Sequence, residues 1–143
     1  MPINWRTDYG IRLVFELAKL GDGTRATVRE LSETSNVPYD YARTIMRDLV
    51  RAGILTSRRG VGGGVELARS AADICVLDVF RAMNEPASLA LCTDAGGECG
   101  RMECCPMHNI VWQEMDDVIS RHLAATSFDK IVTLGRELEG NAS

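Results

Sequence analysis

The sequence predicts a mainly α fold carrying one small β-hairpin. Three observations predict it. Two short segments of helical period, one starting at Thr27 and one running from Tyr39 to Gly53, flank the turn Asn36-Val37-Pro38. Directly after them, two short alternating runs bracket the glycine-rich tract RRGVGGG at 58–64. Further on, a long amphipathic run spans 107–124. Two helices joined by a tight turn make a helix-turn-helix, and a hairpin immediately behind it is a wing. The expected architecture is a winged helix-turn-helix plus a long dimerisation helix.

Taken in order, Thr7 or Asp8 is placed to cap a first helix through about Lys19. Ile11, Val14, Leu17 and Ala18 fall at helical spacing, and Gly21-Asp22-Gly23 stops the run. Thr27 caps the second helix, with Glu30 in the capping-box position, and that helix ends near Asn36. The third helix turns Ile45, Leu49 and Val50 inward and ends at Gly53 in a left-handed cap. Ile54-Leu55-Thr56-Ser57 and Val65-Glu66-Leu67 form the hairpin. A helix is expected from Ala72 to about Met83, with Ile74, Leu77, Val79 and Phe80 as its apolar side and Cys75 as a buried core thiol. Periodicity is lost over 84–106. The long helix then carries Val111 or Trp112, Met115, Val118 or Ile119, and His122 or Leu123 on one stripe. A chain this small has few elements to cover that stripe, so a two-fold dimer interface is expected there. His122 reads as an ordinary surface or interface residue. Ser127 caps a last helix, FDKIVTLGREL, ahead of a frayed tail.

Composition bounds the function. The 143 residues are 45% hydrophobic and 25% charged, the balance of a soluble globular protein. No apolar run approaches the roughly 18 residues of a membrane span, and MPINWRTDYG lacks the pattern of a signal peptide. Five cysteines, an odd number without an export signal, point to thiol or metal chemistry in a reducing cytoplasm. The net charge of −4 conceals an asymmetry. Residues 1–70 hold 11 Lys and Arg against 8 Asp and Glu, a net of +3, whereas 71–143 hold 5 against 12, a net of −7. A mildly basic front and an acidic back point to two jobs in one chain. The modest basic excess permits DNA binding without establishing it. With the helix-turn-helix and the cysteines, the expected units are a winged helix-turn-helix DNA-binding domain over 1–70 and a cysteine-loop, cluster-binding and dimerisation region over 71–143. An enzyme is not expected: there are two histidines, no Ser/His/Asp set and no paired carboxylates in a plausible cleft. The glycine tract lacks the Lys-Ser/Thr that closes a phosphate loop.

On the third helix, Tyr39, Asp40, Tyr41, Arg43 and Arg47 occupy the exposed start and outer face, from which Arg43 can reach guanine in a bidentate contact. In the wing, Arg58 and Arg59 suit phosphates or a narrow minor groove.

The chemistry concentrates in CTDAGGECGRMECCPMH. Cys92, Cys99 and Cys105 are separated by six and five residues, and His108 follows Cys105 by three. Spacers of that width are long for a zinc knuckle, and a thiolate-rich loop suits an iron–sulfur cluster better. Pro106 begins the long helix, so Cys105 stands at its N-cap, where backbone N–H groups and the helix dipole favour thiolate. His108 lies within reach of the same centre through a ring nitrogen. Cys104 is left outside the set, as a spare, a resolving thiol or an alternative ligand. A zinc-stabilised interaction module and a cluster-free thiol switch are the alternatives to a cluster.

These features together resemble the Rrf-type winged-helix transcription regulators with an iron–sulfur cluster, of the NsrR and IscR kind. The carriers are TDYGIR at 7–12, the turn and helix from Val37 to Gly53, RRGVGGG at 58–64, and the cysteine loop leading into the long helix. The resemblance implies a homodimer paired through the long helix 107–124 on a double-stranded DNA operator, with no membrane. Each third helix then enters a major groove and each wing lies over a minor groove. It implies Cys92, Cys99 and Cys105 as cluster ligands. For the fourth ligand it implies either His108 on a 2Fe–2S cluster or Asp8, from the partner subunit, on a 4Fe–4S cluster. The implied function is a repressor sensing nitric oxide, redox state or iron–sulfur status. The spacer of six between Cys92 and Cys99 departs from the family's usual five.

Overall fold

The computed structural model describes residues 3–90, 92 and 99–142. Helix α1 (Trp5–Lys19) begins earlier than its sequence signals indicate, because Asn4 caps it by accepting from the Arg6 N–H at 3.0 Å. Thr7, expected at the cap, is instead fully buried inside the helix and donates its hydroxyl to Glu85 at 3.0 Å. Helix α2 (Val28–Thr34) starts with the predicted box: Thr27 Oγ1 accepts from Glu30 N at 3.2 Å, and Glu30 accepts from Thr27 N at 2.7 Å. Asn36 turns the chain with φ of 54°, a left-handed conformation that Asn tolerates. Helix α3 (Tyr39–Arg51) buries Ala42, Ile45, Met46 and Leu49, spaced one helical stripe apart. Val50, expected inward, is half-buried at the edge, and Gly53 follows at φ 77° as the left-handed stop.

The hairpin pairs β1 (Leu55–Arg58) antiparallel with β2 (Gly64–Leu67), Leu55 opposite Leu67 and Arg58 opposite Gly64. Val65 is also bonded to Ala26 in both directions, at 3.1 and 2.8 Å, which fastens the wing to the turn before α2. Gly64 is required there. Its φ is +137°, and a Cβ would stand 2.5 Å from the Ala26 carbonyl oxygen.

The single helix expected from Ala72 to Met83 is two elements. A 3₁₀ turn (Ala71–Asp73) is followed by extended Ile74 and then by α4 (Val76–Ala82). The break has a cause about fifty residues away: Val76 N donates to Thr126 O at 3.0 Å and Phe128 N to Ile74 O at 2.9 Å. Extended backbone at Ile74 and Cys75 is needed for both bonds. Cys75 is accordingly not inside the helix. It is half-buried at the N-cap of α4, with Asp78 accepting from its N–H at 2.9 Å.

Beyond α4 come a 3₁₀ turn (Met102–Cys104), a π-helical turn (Met107–Trp112), α5 (Gln113–Ala125) and α6 (Phe128–Asn141). Ser127 caps α6 as predicted, accepting from Lys130 N at 3.2 Å, but the helix continues through Asn141 where a frayed tail was expected. One hydrophobic cluster holds the molecule together. Leu13 and Leu17 of α1, Leu31 of α2, Ile45 and Leu49 of α3 and Val79 of α4 meet Phe128 of α6 in it. Each such burial is worth about 1.5–3 kcal/mol relative to exposure.

Candidate functional site

Two surfaces carry the chemistry. The first is made by α2, α3 and the wing. Because α3 places its apolar stripe in the core, Tyr39, Asp40, Tyr41, Arg43 and Arg47 all stand on its exposed side. Arg43 and Arg47 line a groove between α3 and the wing whose floor includes Val28, Met46 and Val65. Neither arginine makes an ion pair among the described residues, and the same is true of exposed Arg59 in the wing. Tyr41 turns toward α1, its ring 4.6 Å from that of Trp5 and 6.2 Å from that of Tyr9. The Tyr39 ring carries the Arg29 guanidinium at 4.5 Å and that of Arg43 at 5.9 Å.

Arg29 and Arg25 had not been singled out from the sequence. Arg25 pairs with Glu66 of β2 at 3.3 Å and donates to the Gly62 carbonyl at 3.2 Å, while Arg58 pairs with the other Glu66 oxygen at 3.5 Å. No local pattern announces these contacts, since Arg25 and Glu66 are 41 residues apart. The net positive balance of residues 1–70 is the one signal that covers them.

The second surface is the cysteine and histidine region. Cys92 and Cys105 are half-buried, Cys99 and Cys104 are exposed, and all are free thiols. The spacer 93–98 between Cys92 and Cys99 lies outside the described residues. Among the described residues no group of three or more His, Cys, Asp or Glu side chains is drawn together to hold a metal. Cys105 is extended (φ −82°, ψ 116°) just before the helical run that Pro106 opens, and its carbonyl accepts from Asn109 N at 3.0 Å. The Asn109 amide ties this corner by donating to the Met102 and Cys105 carbonyls, both at 2.9 Å.

His108 is the unusual member. It is buried, at 6% exposure, inside the π turn, with its own carbonyl accepting from Gln113 N–H five residues on. A π turn inserted in a helix is found frequently at functional sites. The Nε2 atom lies 3.3 Å from the Gln113 amide nitrogen, but Nδ1 is fully buried and has no hydrogen-bond partner among the described residues. A buried imidazole nitrogen left unpaired is costly unless something absent from the chain itself meets it. Asp8 stands elsewhere, half-exposed on α1 and ion-paired with Arg12 at 2.8 Å. His122 is exposed on α5.

Ile110, Met115 and Val118 are exposed along the π turn and α5, as are Leu134 and Leu138 on α6. Among the described residues no helix is long and apolar enough to cross a membrane.

A winged helix-turn-helix with a solvent-facing basic recognition surface defines the chain as a DNA-binding regulator by class. It belongs to the Rrf2 family, described as iron-dependent transcriptional regulators, whose sequence profile matches residues 3–134. Protein rrf2 of Nitratidesulfovibrio vulgaris is 29% identical over 123 residues, which cover 86% of this chain and 81% of that protein. Among solved structures, the global cysteine regulator CymR (YrzC) of B. subtilis superposes with a TM-score of 0.77 over 94% of this chain and 98% of its own, at 22% identity. IscR of T. potens gives a TM-score of 0.75 over 96% of this chain and 90% of its own, at 21% identity. At these identities the two structures speak for the fold: mostly helical, with a two-stranded antiparallel hairpin.

Proposed function

We propose that this chain is a homodimeric repressor whose hold on a double-stranded DNA operator is set by an iron–sulfur cluster. In this reading it reports nitric oxide, redox state or cluster status in the cytoplasm, and it is not an enzyme. The observation that carries the reading is His108: a buried imidazole with an unpaired Nδ1, in a π turn that begins two residues after the half-buried Cys105. The donor chemistry fits such a group. Soft thiolates and an imidazole are the protein ligands of iron–sulfur centres. Cys92, Cys99 and Cys105 would hold it, with His108 as fourth ligand in a 2Fe–2S form or Asp8 of the partner subunit in a 4Fe–4S form. When bound, the cluster supplies a centre sensitive to oxidants and nitric oxide.

The remaining work falls to the chain's own residues. Asn109 anchors Cys105 to the 3₁₀ turn, and Asp116 docks α5 on the segment after α4 by accepting from Leu89 N at 2.9 Å. A change in how the cysteine loop is held therefore reaches the long helix through hydrogen bonds rather than a slack linker. Ile110, Met115 and Val118 give two copies an apolar face to share, with the wing domains (1–70) outboard of the dimerisation region (71–143). Recognition helices in such a dimer must match half-sites about 34 Å apart, so a small rotation at the dimer helix changes operator affinity. Tyr39, Asp40, Arg43 and Arg47 face the major groove, Tyr41 borders it from its seat against α1, and Arg58 and Arg59 face the minor groove or phosphates.

Anaerobic purification with iron, sulfide and UV–visible analysis tests the reading. A brown protein is expected, with equal iron and sulfide at about two or four per chain; two directs the next substitution to His108 and four to Asp8. Cys105→Ser should abolish iron retention and shift operator affinity at fixed salt by on the order of tenfold or more. A colourless, iron-free protein, or apo and cluster-bound forms with equal affinity, removes the cluster mechanism. Zinc in its place, or an oxidant-formed disulfide of Cys104 or Cys105 with Cys92 or Cys99, would identify which alternative holds.

A further inference from the structure

The wing contains one acid. Between Leu55 and Leu67 the charged residues are Arg58, Arg59 and Glu66. The Glu66 side chain is only 15% exposed, and each carboxylate oxygen is taken by a different guanidinium: Oε2 by Arg25 at 3.3 Å and Oε1 by Arg58 at 3.5 Å. Arg25 then reaches past it to the Gly62 carbonyl at the wing tip, 3.2 Å away. Stability is a poor reason for this arrangement, because partly exposed ion pairs of this length contribute little. Affinity for DNA is a worse one, because a carboxylate beside phosphate-seeking arginines opposes binding to any duplex.

We propose that Glu66 is a specificity-determining residue of DNA binding. It holds Arg25 and Arg58 as a clamp on the wing and withholds their charge from indiscriminate phosphate contact. Discrimination between sequences is a difference of affinities, so a built-in opposing charge that weakens every random duplex raises it. Arg59, which has no such partner among the described residues, is left to make the contacts available on any approach. This inference rests on the winged helix alone and stands whether or not a cluster is bound.

The test is Glu66→Gln, which keeps size and one acceptor while removing the charge. Binding is followed by fluorescence anisotropy on a 30-base-pair duplex of random sequence across a salt series. Random-duplex affinity should rise about tenfold at low salt, and the slope of log affinity against log salt should steepen by about 1–2, as one or two phosphate contacts are gained. Arg25→Gln should leave random-duplex binding nearly unchanged in the otherwise native protein, yet remove about half the gain in the Glu66→Gln background. A purely structural Glu66 predicts the opposite sign, with affinity falling on every duplex as the wing loses its seat; that result, or no change, overturns the proposal. Should Glu66→Gln melt below the assay temperature, Arg25→Gln set against Arg59→Gln decides the matter. A withheld Arg25 costs the random duplex no slope, whereas free Arg59 costs about one; equal losses overturn the proposal.

Discussion

The two halves of this molecule satisfy their polar and apolar groups in different ways. In the winged helix the ends are closed from within: Asn4 caps α1, Thr27 and Glu30 close α2, and Ala26 pairs with Val65 of the wing. Leu13, Leu17, Leu31, Ile45 and Leu49 are fully buried in its core, and Arg43, Arg47 and Arg59 stand exposed without an ion pair among the described residues. In the cysteine region the balance is reversed. A histidine nitrogen is buried without a partner among the described residues, and Ile110 and Val118 point at solvent. The first region is finished as a monomer. Under the proposed function the second region is completed by a cluster and a second copy, so the difference separates the part that reads DNA from the part that is regulated.

The largest expected effect comes from attacking the unfinished side. Val118→Glu puts a charge on an exposed apolar position of α5, where a monomer loses little and the proposed dimer loses its contact. Sedimentation should show a monomer of undiminished melting temperature. Operator affinity should fall by about 10²–10⁴, the factor contributed by engaging two linked half-sites. A variant that remains dimeric would show that the copies meet elsewhere. The matching change on the finished side is Leu13→Ala, at a fully buried position in α1. It should cost about 2–5 kcal/mol of unfolding free energy by denaturant titration, with little change in oligomeric state. If both variants lost stability equally, the contrast between the halves would be wrong.

The same contrast explains what could be read in advance. Signals that act within one helical turn were legible: the Thr27–Glu30 box, the Gly53 stop, the Ser127 cap and the inward stripe of α3. So was the hairpin, because glycines between alternating runs leave the backbone few other choices. What was misread depended on distant partners. Thr7 has a good capping side chain, but Glu85, 78 residues on, draws it into the interior, and Asn4 takes the cap. Ile74 and Cys75 look helical until Phe128 and Thr126 claim the backbone of Ile74 and Val76 on either side of Cys75. In the candidate site, the exposed face of α3 followed from helical period alone. The bracing of the wing by Arg25 did not, since no periodicity links it to Glu66. The π turn at His108 has no established sequence signature, and only the buried, unpaired ring marks it.

Within the DNA-reading half, a finer division is testable. Arg43 projects from α3 over the groove beside the wing, whereas Arg59 stands free in the wing itself. Arg43→Ala should cost about 1–3 kcal/mol on the operator and relax preference at one base position, leaving random duplex nearly untouched. Arg59→Ala should weaken all sequences alike and flatten the salt slope by about 1. Competition assays with operator and random duplex separate the two. Equal losses on both duplexes for Arg43→Ala would place that side chain on the backbone rather than on a base.

The smallest effect lies at the seam between the halves. Asp22, in the turn after α1, accepts from the Ala71 N–H at 3.0 Å and from the Ser70 hydroxyl at 2.8 Å. These two bonds, the backbone one first, hold its carboxyl below the ordinary aspartate value. A carboxylate with a depressed folded-state pKa binds fewer protons folded than unfolded. Its contribution is therefore present above the unfolded value and is lost as pH falls through the folded one. Asp22→Asn should lower the melting temperature slightly at pH 7, and the gap from the native protein should close as pH drops below 4. Thermal melts by circular dichroism at pH 7, 4 and 3 would measure it. A gap independent of pH would mean that Asp22 acts at this joint through shape rather than charge, and that the two halves are joined without an electrostatic contribution from this turn.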